Sequence, residues 1–430
     1  MPLPSPDTEP FATLPAEVQA SAATELRRRM AFVAEVARRL HQFGTAAPRL
    51  ESAIDLLSAR LALRAEIWSS PTALILSFSD GREDTGSLAE FTQVMRLSPG
   101  DIDLRRLVEV NEIADDVIAG RLNIEQGFGR LHAIGDSLTE RASTLEIGCY
   151  GLVSAALAAL LHSSWTDIVA TCVIGIVVGM IASVSARSTR LRNALEAICA
   201  MLVTLMATLI SLYVTPLTMK SVVLASLIVL LPGMSLTTAA RELSTQHLVS
   251  GTARFAGAVT TLVKLAFGTI AANELCRTLH LLPPEAALAA VPAWVEWIAL
   301  LAAAYAFAVL FHAARRDYLL VMAAAVLGYL ITNYGGRVFA PAFGVFLGGV
   351  IMGALSNFYA TRTNRPGALV REPGIILLVP GSVGYLSLSQ IAEHDVFLGI
   401  NTAVSVAAIL SCLVAGLMFG DLVVAPRRSL

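Results

Sequence analysis

Two patterns of apolar and polar positions divide this 430-residue chain near residue 147. Before it, apolar residues recur at helix or strand spacing between charged ones. After it, they run almost unbroken for 17–22 residues at a time. In the first part, residues 1–24 read as a disordered, Pro-rich leader. Met30, Val33, Ala37 and Leu40 then fall on one stripe of a helix expected over Glu25–Gln42. After Phe43-Gly44-Thr45 a second helix is expected from Pro48 to Leu63. Ile67 and Trp68 predict a strand over Ala65–Ser69, and Leu74, Ile75 and Phe78 another over Thr72–Ser79. Asp80-Gly81 signals a turn, and Leu88–Leu97 can pair back as the return strand. Helices over Asp103–Gly120 and Asn123–Leu138 follow, the former capped by Asp101 or Asp103. Residues 25–146 thus read as a small α+β domain with one short sheet.

The second part carries apolar segments at about 147–165, 168–186, 194–214, 219–238, 252–273, 292–312, 318–334, 338–358, 374–391 and 398–422. A bilayer core of about 30 Å takes about 20 helical residues, so each is long enough to span. The segments holding Pro232 and Pro380 are short and interrupted. The expected architecture is mainly α, a polytopic membrane bundle of about ten spans behind a small cytoplasmic α+β domain.

Charge supports a division between two solvents. Residues 1–146 hold 15 Arg against 22 Asp and Glu, whereas the remainder holds 16 Lys and Arg against 11 Asp and Glu. Only 15% of all residues are charged, and the mean hydropathy is +0.67. An acidic front argues against nucleic acid as a partner. Met1–Val18 has no basic start and no apolar run, which argues against a secretory signal. With the N-terminus inside, the inner connections carry Arg187, Arg190, Arg192, Arg241, Arg315, Arg316, Arg362, Arg365, Arg371, Arg427 and Arg428. The outer ones carry Lys220, Arg277 and Arg337. That is the positive-inside bias of an inner-membrane protein with both termini cytoplasmic. The five cysteines (Cys149, Cys172, Cys199, Cys276, Cys412) lie in or beside apolar stretches and are not spaced as a metal clip. No cofactor or metal is expected.

A near-duplication lies at an offset of 148 residues. Leu230-Leu231-Pro232-Gly233-Met234-Ser235 matches Leu378-Val379-Pro380-Gly381-Ser382-Val383, and Gly251 and Gly268 fall on Gly399 and Gly416 without a gap. Five spans per half is an odd number, so the halves 147–279 and 290–424 would enter the membrane with opposite orientation, a 5+5 inverted repeat. Proline removes a backbone donor and glycine permits dihedrals that a helix does not use. In hydrocarbon such breaks are costly unless they line a cavity or face protein. Two of them, at 232–233 and 380–381, would meet near the midplane; the bland alternative is a pair of kinks that only shape packing.

Several patterns then carry a family resemblance: His41-Gln-Phe-Gly44-Thr-Ala-Ala-Pro-Arg49-Leu-Glu51, Leu231-Pro232-Gly233 with Arg241-Glu242-Leu243, Ser250-Gly251-Thr-Ala-Arg254, and Pro373-Gly374-Ile-Ile-Leu-Leu-Val-Pro380-Gly381-Ser382. On these residues the chain resembles the threonine/serine exporter family, in a form with both halves fused. The resemblance implies a soluble N-terminal segment, ten spans and export of small hydroxy amino acids driven by protons. Relatives with split halves are associated with succinate export, so a dicarboxylate stays open as cargo.

Candidate residues follow from position. Lys264 lies mid-way along the fifth apolar segment, where an ionisable group is by default functional, and a substrate carboxylate would suit it; a structural salt bridge is the alternative. Pro232, Gly233, Ser235, Pro380, Gly381, Ser382 and Asn401 are the other translocation candidates, with Thr237, Thr238 and Ser387 as further hydroxyls beside the breaks. Asn273, Asn333, Asn357 and Asn401 equally suit helix-to-helix glue. Glu196 could couple protons or pair with Arg192 at i,i+4, and Asp167 could couple protons or serve as an N-cap or first-turn acid. His41, Arg49 and Glu51 tempt a catalytic reading, yet no nucleophile elbow, phosphate loop or metal cluster accompanies them. The reading is therefore a secondary exporter, with an amino acid or dicarboxylate, protons and lipid as partners and a homo-oligomer left open. A membrane-embedded enzyme lacks enough converging polar groups. A sensor that uses the N-terminal domain would need neither the breaks nor the repeat.

Overall fold

Helix α1 (Ala16–Gln42) begins the described part of the computed structural model, which covers residues 16–80, 91–134, 144–284, 289, 291–378, 381–392 and 396–426. The expected leader therefore gives way to helix nine residues early, because Ala-Glu-Val-Gln-Ala-Ser-Ala-Ala is rich in helix formers. Helix α2 (Ala47–Arg60) starts with proline in its first turn, where the missing N–H has no partner to lose. Strands β1 (Leu63–Ser70), β2 (Ala73–Asp80) and β3 (Phe91–Arg96) form an antiparallel sheet in that order. Ser70 pairs with Ala73 across the first turn, and Phe78 with Phe91 across the second. The turn expected at Asp80-Gly81 and the first residues of the return strand lie outside the described residues. Alternation puts Leu74, Leu76 and Phe78 into the core against Phe32, Leu50 and Ile54, all fully buried. Helix α3 (Leu104–Ile118) is capped by Asp103, whose side chain accepts from Arg106 N, so Asp101 is not the cap. Helix α4 (Ile124–Ala133) opens with a capping box of Asn123 and Gln126, and the residues expected to extend it to 138 are described only to 134.

The apolar segments become helices α5 (Thr144–Leu160), α6 (Trp165–Ser185), α7 (Thr189–Tyr213), α8 (Met219–Ser226) and α9 (Gly233–Ser244), α10 (Leu248–Thr278), α11 (Trp294–Leu310), α12 (Tyr318–Val338), α13 (Pro341–Thr363), α14 (Ala368–Ile376) and α15 (Gly381–Ala392), and α16 (Val396–Val423). Among the described residues, seven helical stretches are long and apolar enough to cross a membrane, one of them running through α14 and α15; α8 with α9 makes an eighth, bent by 54°. Helices α5 and α11 are apolar but only 17 residues long, about 25 Å at 1.5 Å per residue. Seven to eight such spans make this a multi-pass membrane protein.

Helix packing follows one scheme twice. In the first set α6 packs on α5, α7 and α8, and α10 packs on α7 and α9. In the second, α12 packs on α11, α13 and α14, and α16 packs on α13 and α15. The repeated glycines make these approaches. A Cβ at Gly268 would collide with the Ala197 carbonyl of α7, and one at Gly416 with the Phe346 carbonyl of α13. Gly251 closes on Ala239 of α9, while the Gly399 carbonyl accepts from Ser387 of α15, 148 residues on from Ala239. Between the sets, α5 packs on α11, α9 on α15 and α16, and α10 on α15.

The N-terminal unit is seated on one end of this bundle, and its core continues into Ala308, Ala313, Val321, Ala368 and Leu369. The first N–H groups of α3 donate to the carbonyls just after α11, Leu104 to Phe311 (3.0 Å) and Arg105 to His312 (3.2 Å), so the start of α3 finds its partners there. Arg316 pairs with Glu112 at 3.0 Å, and Asn364 donates to Asp115 at 2.7 Å.

Candidate functional site

The two interrupted helices meet. At the first break a 3-10 turn (Ile228–Leu230) ends α8, and Gly233 N–H turns back to Leu231 O at 2.8 Å before α9 begins. At the second, α15 begins at Gly381 after α14 has ended at Ile376; Pro380 lies outside the described residues. A Cβ on Gly381 would stand 3.0 Å from the Gly233 Cα and 3.4 Å from the Leu231 Cβ. Helices α9 and α15 thus start side by side. Their first N–H groups have no partner within their own helix and carry the positive end of the helix dipole, an arrangement suited to an anion.

A cavity of about 550 Å³ extends from this junction to the underside of the N-terminal unit. That volume lies within the usual range for small-molecule sites. Ser235, Thr237, Thr238 and Ser382 line its inner end. Thr237 is buried, and its hydroxyl has no protein partner among the described residues. Tyr150 of α5 and Phe307 of α11 form its sides, and Gly44, Thr45, Arg49 and Asp101 cover it from the N-terminal unit. Neither α8 nor the part of α15 beyond Ser382 reaches the cavity, so it lies to one side of the breaks.

Its charge is mostly basic and mostly neutralised. Arg241 donates to Asp421 at 3.2 Å, and Asp421 also accepts from Asn357 at 2.7 Å. Arg371 is tied to Glu372 at 2.6 Å. Arg254 makes a two-pronged contact with Glu242, 3.2 Å on each prong. Glu242 is fully buried and also accepts from Ser250 Oγ (2.9 Å) and from Ala47 N–H at the start of α2 (3.1 Å). Four donors from two elements, α10 and α2, around one buried carboxylate fasten the N-terminal unit to the bundle. Asp101 opens to the cavity, where enclosure by protein raises its pKa against the opposing pull of His312 and Arg192.

The sequence candidates distribute unevenly over this geometry. Pro232, Gly233, Ser235, Gly381 and Ser382 converge on the cavity. Lys264 does not line it; its Nζ donates to the Asn193 carbonyl at 2.9 Å and lies 3.4 Å from Glu196. Lys264 thus takes the structural salt bridge that was its alternative, and Glu196 has Lys264 as partner where Arg192 was expected. Helix α10 has 31 residues, about 46 Å, and its first turns overhang the start of α7, so the mid-helix residue stands beside the second turn of its neighbour. Asp167 is fully buried as the third residue of a capping box. Its oxygens accept from Ser164 N–H (3.1 Å) and Thr218 N–H (2.9 Å), the role of a first-turn acid. Asn401 is exposed on α16, away from the breaks.

In the N-terminal unit, His41 donates from Nε2 to the Ser70 carbonyl at 3.0 Å, and burial lowers its pKa. Glu51 accepts from Ser69 N–H and pairs with His247 at 3.1 Å. These residues are spent separately on holding the unit together and onto the bundle. Sequence reasoning missed the arginine assembly. Arg371 entered it only as a loop charge, Arg241 as a loop charge and part of a pattern, and Glu242 only as part of that pattern.

Comparison with known proteins bears on the whole chain. A family model described as "Putative threonine/serine exporter" matches residues 31–276, and one described as "Threonine/Serine exporter, ThrE" matches residues 296–423. Among curated proteins, the chain is 23% identical to pheromone-regulated membrane protein 10 of Pichia sorbitophila, over 86% of this chain and 38% of that protein. It is 24% identical to the protein of that name in Eremothecium gossypii, over 89% of this chain and 52% of that one. The chain thus spans about half the length of these relatives, or less. No solved structure matches it.

Proposed function

The chain belongs to the threonine/serine exporter family, and from that premise we propose a secondary transporter that moves threonine or serine out of the cell across the inner membrane. The observation that carries this reading is the meeting of the two breaks, Gly381 against Gly233, at the closed end of a 550 Å³ cavity. In this reading the side bearing the N-terminal unit and the arginine-rich connections is cytoplasmic. The cavity then presents an inward-facing state, with its floor at the breaks.

The doubled packing scheme supports a 5+5 inverted repeat in which α5 and α11, each short, count as the first span of each half. Rocking one half against the other about the α9–α15 contact would open the far side of the breaks while closing the near side. Hydroxyls of Ser235, Thr237, Thr238 and Ser382 suit the hydroxyl of the cargo, and the paired helix starts suit its carboxylate. Protons are the expected counter-ion. Asp101 is the carboxylate placed to carry them in the cavity, whereas Glu372 is paired with Arg371, and Asp167 and Glu196 are committed elsewhere.

The basic lining keeps succinate in view as a second cargo. Counterflow decides between these readings: proteoliposomes loaded with unlabelled threonine, serine or succinate should accumulate the labelled solute that matches the physiological cargo. Accumulation of none of the three overturns the exporter reading.

A further inference from the structure

Of the four arginines that line the cavity, three have a carboxylate: Arg254 has Glu242, Arg241 has Asp421 and Arg371 has Glu372. The guanidinium of Arg49 has no hydrogen-bond or ion-pair partner among the described residues. It reaches across the seam from α2 toward the start of α14, where a Cβ on Gly367 would stand 3.3 Å from its Nη2. Burial and the like charges of Arg371 and Arg241 outweigh Glu372 and Asp421, and they push the pKa of Arg49 down to about 9. An enclosed guanidinium in this situation is an anion site without its anion.

The position is also held in place. Two residues before it, Ala47 N–H is fixed on Glu242. Two residues after it, Glu51 is fixed by Ser69 N–H and His247. Its backbone is therefore clamped to the bundle on both sides, which lowers the ordering cost of receiving a ligand.

We infer that Arg49 receives the carboxylate of the transported solute, so that the N-terminal unit completes the binding site as well as covering it. The inference rests on the exporter reading for the identity of the ligand, not for the existence of the site. Its chemistry demands a carboxylate-bearing solute small enough for the cavity. Arg49 then takes the carboxylate in place of the paired helix starts, and the hydroxyls at the breaks remain for the hydroxyl of the cargo.

The test uses the full chain in lipid nanodiscs, with labelled threonine and labelled succinate as probes and threoninol, which lacks the carboxylate, as competitor. Arg49→Met should weaken carboxylate binding at least about 10-fold, as loss of a charge-assisted pair does, and should leave threoninol competition unchanged. Arg49→Lys should recover part of the loss. Equal binding by Arg49→Met and the unmutated protein overturns the inference. The unmutated protein gives a second readout that does not depend on variant folding. Phenylglyoxal modification of Arg49, read by peptide mass, should be slowed by threonine or succinate and not by threoninol. Equal modification with all three overturns the inference. Protection of Arg49 without counterflow would leave this site standing and remove the exporter. Counterflow with Arg49-independent binding would do the reverse.

Discussion

The two sets of membrane helices hold their interrupted helices by the same bond made from different chemistry. In the first, Arg254 of α10 donates to Glu242 of α9. At the 148-residue offset these positions become Thr402 and Gln390, and Thr402 Oγ1 of α16 donates to Gln390 Oε1 of α15 at 2.8 Å. The helix pair, the positions and the direction of donation are shared; only the charge differs. Charge stands where a further element meets the bundle, because Glu242 must also accept from Ala47 and Ser250. A neutral amide suffices where no other element arrives. The same contrast recurs between Lys264–Glu196 in α10 and α7 and its offset positions Cys412 and Gly344. Packing is alike at positions 148 residues apart, and charge stands on one side only.

The shared part of the comparison is tested most severely at the breaks. Gly381→Leu places a branched side chain where 3.0 Å separates a Cβ from the backbone of Gly233, and neither backbone can yield without moving its helix start. Transport in proteoliposomes should be abolished while membrane insertion and yield are kept. Normal counterflow by this variant would remove the meeting of the breaks from the mechanism.

The unshared part predicts unequal costs for equivalent truncations. Glu242→Ala strands the Arg254 guanidinium and two further donors, a loss of about 3–5 kcal/mol for a buried charge whose partner is removed. Gln390→Ala removes one neutral bond, worth about 1 kcal/mol. Thermal unfolding midpoints should separate the two variants clearly, and limited proteolysis should release the N-terminal unit only in the first. Equal shifts would show that the charge adds nothing to the seam.

This contrast explains what was legible beforehand. The apolar segments could be read because a bilayer sets the length of a spanning helix, although seven to eight stretches among the described residues, not ten, are long and apolar enough to cross it. Strands β1 and β2 followed from Ile67 and Trp68 and from Leu74, Ile75 and Phe78. The charged seam did not show. Its members run from Arg49 and Glu51 through Glu242, His247 and Arg254 to Arg371 and Asp421, and no local spacing links them. Loop arginines look alike whether they face water or a cavity, so neither Arg241 nor Arg371 was read as lining one. Lys264 was misplaced because a 31-residue helix was taken as a centred span. Asn401 was misplaced because a helix apolar on every face does not announce which side meets protein.

Lys264 gives a smaller test of the same asymmetry. It pairs with Glu196 while still about a third exposed, so Lys264→Met should cost under about 1 kcal/mol of stability. Because its side chain is turned to α7 and away from the cavity, the apparent affinity for cargo in counterflow should not change. A large loss of affinity would return Lys264 to the pathway and would mean that charge added to one half serves the substrate as well as the architecture.

The mildest expected effect lies where α3 abuts α11. His312 sits there with φ +50°, its carbonyl accepting from Arg105 N–H and its Nε2 lying 3.1 Å from Glu146. The hydrogen bond to Glu146 raises its pKa above 6.5, burial opposes this, and the charges of Asp103 and Glu146 add to the rise. A group with a raised folded-state pKa contributes stability that is fully present below its unfolded value, about 6.5, and is lost as pH rises through the folded value. The junction should therefore be tighter at about pH 6 than at about pH 8, a range in which histidine changes charge. Hydrogen exchange at Leu104 and Arg105, corrected for the intrinsic rate, should show that loosening, and His312→Gln should flatten it. If exchange in the unmutated protein is equally flat, the seam is held by helix-end bonds and Glu242 alone, and the added charge is local to the first interrupted helix.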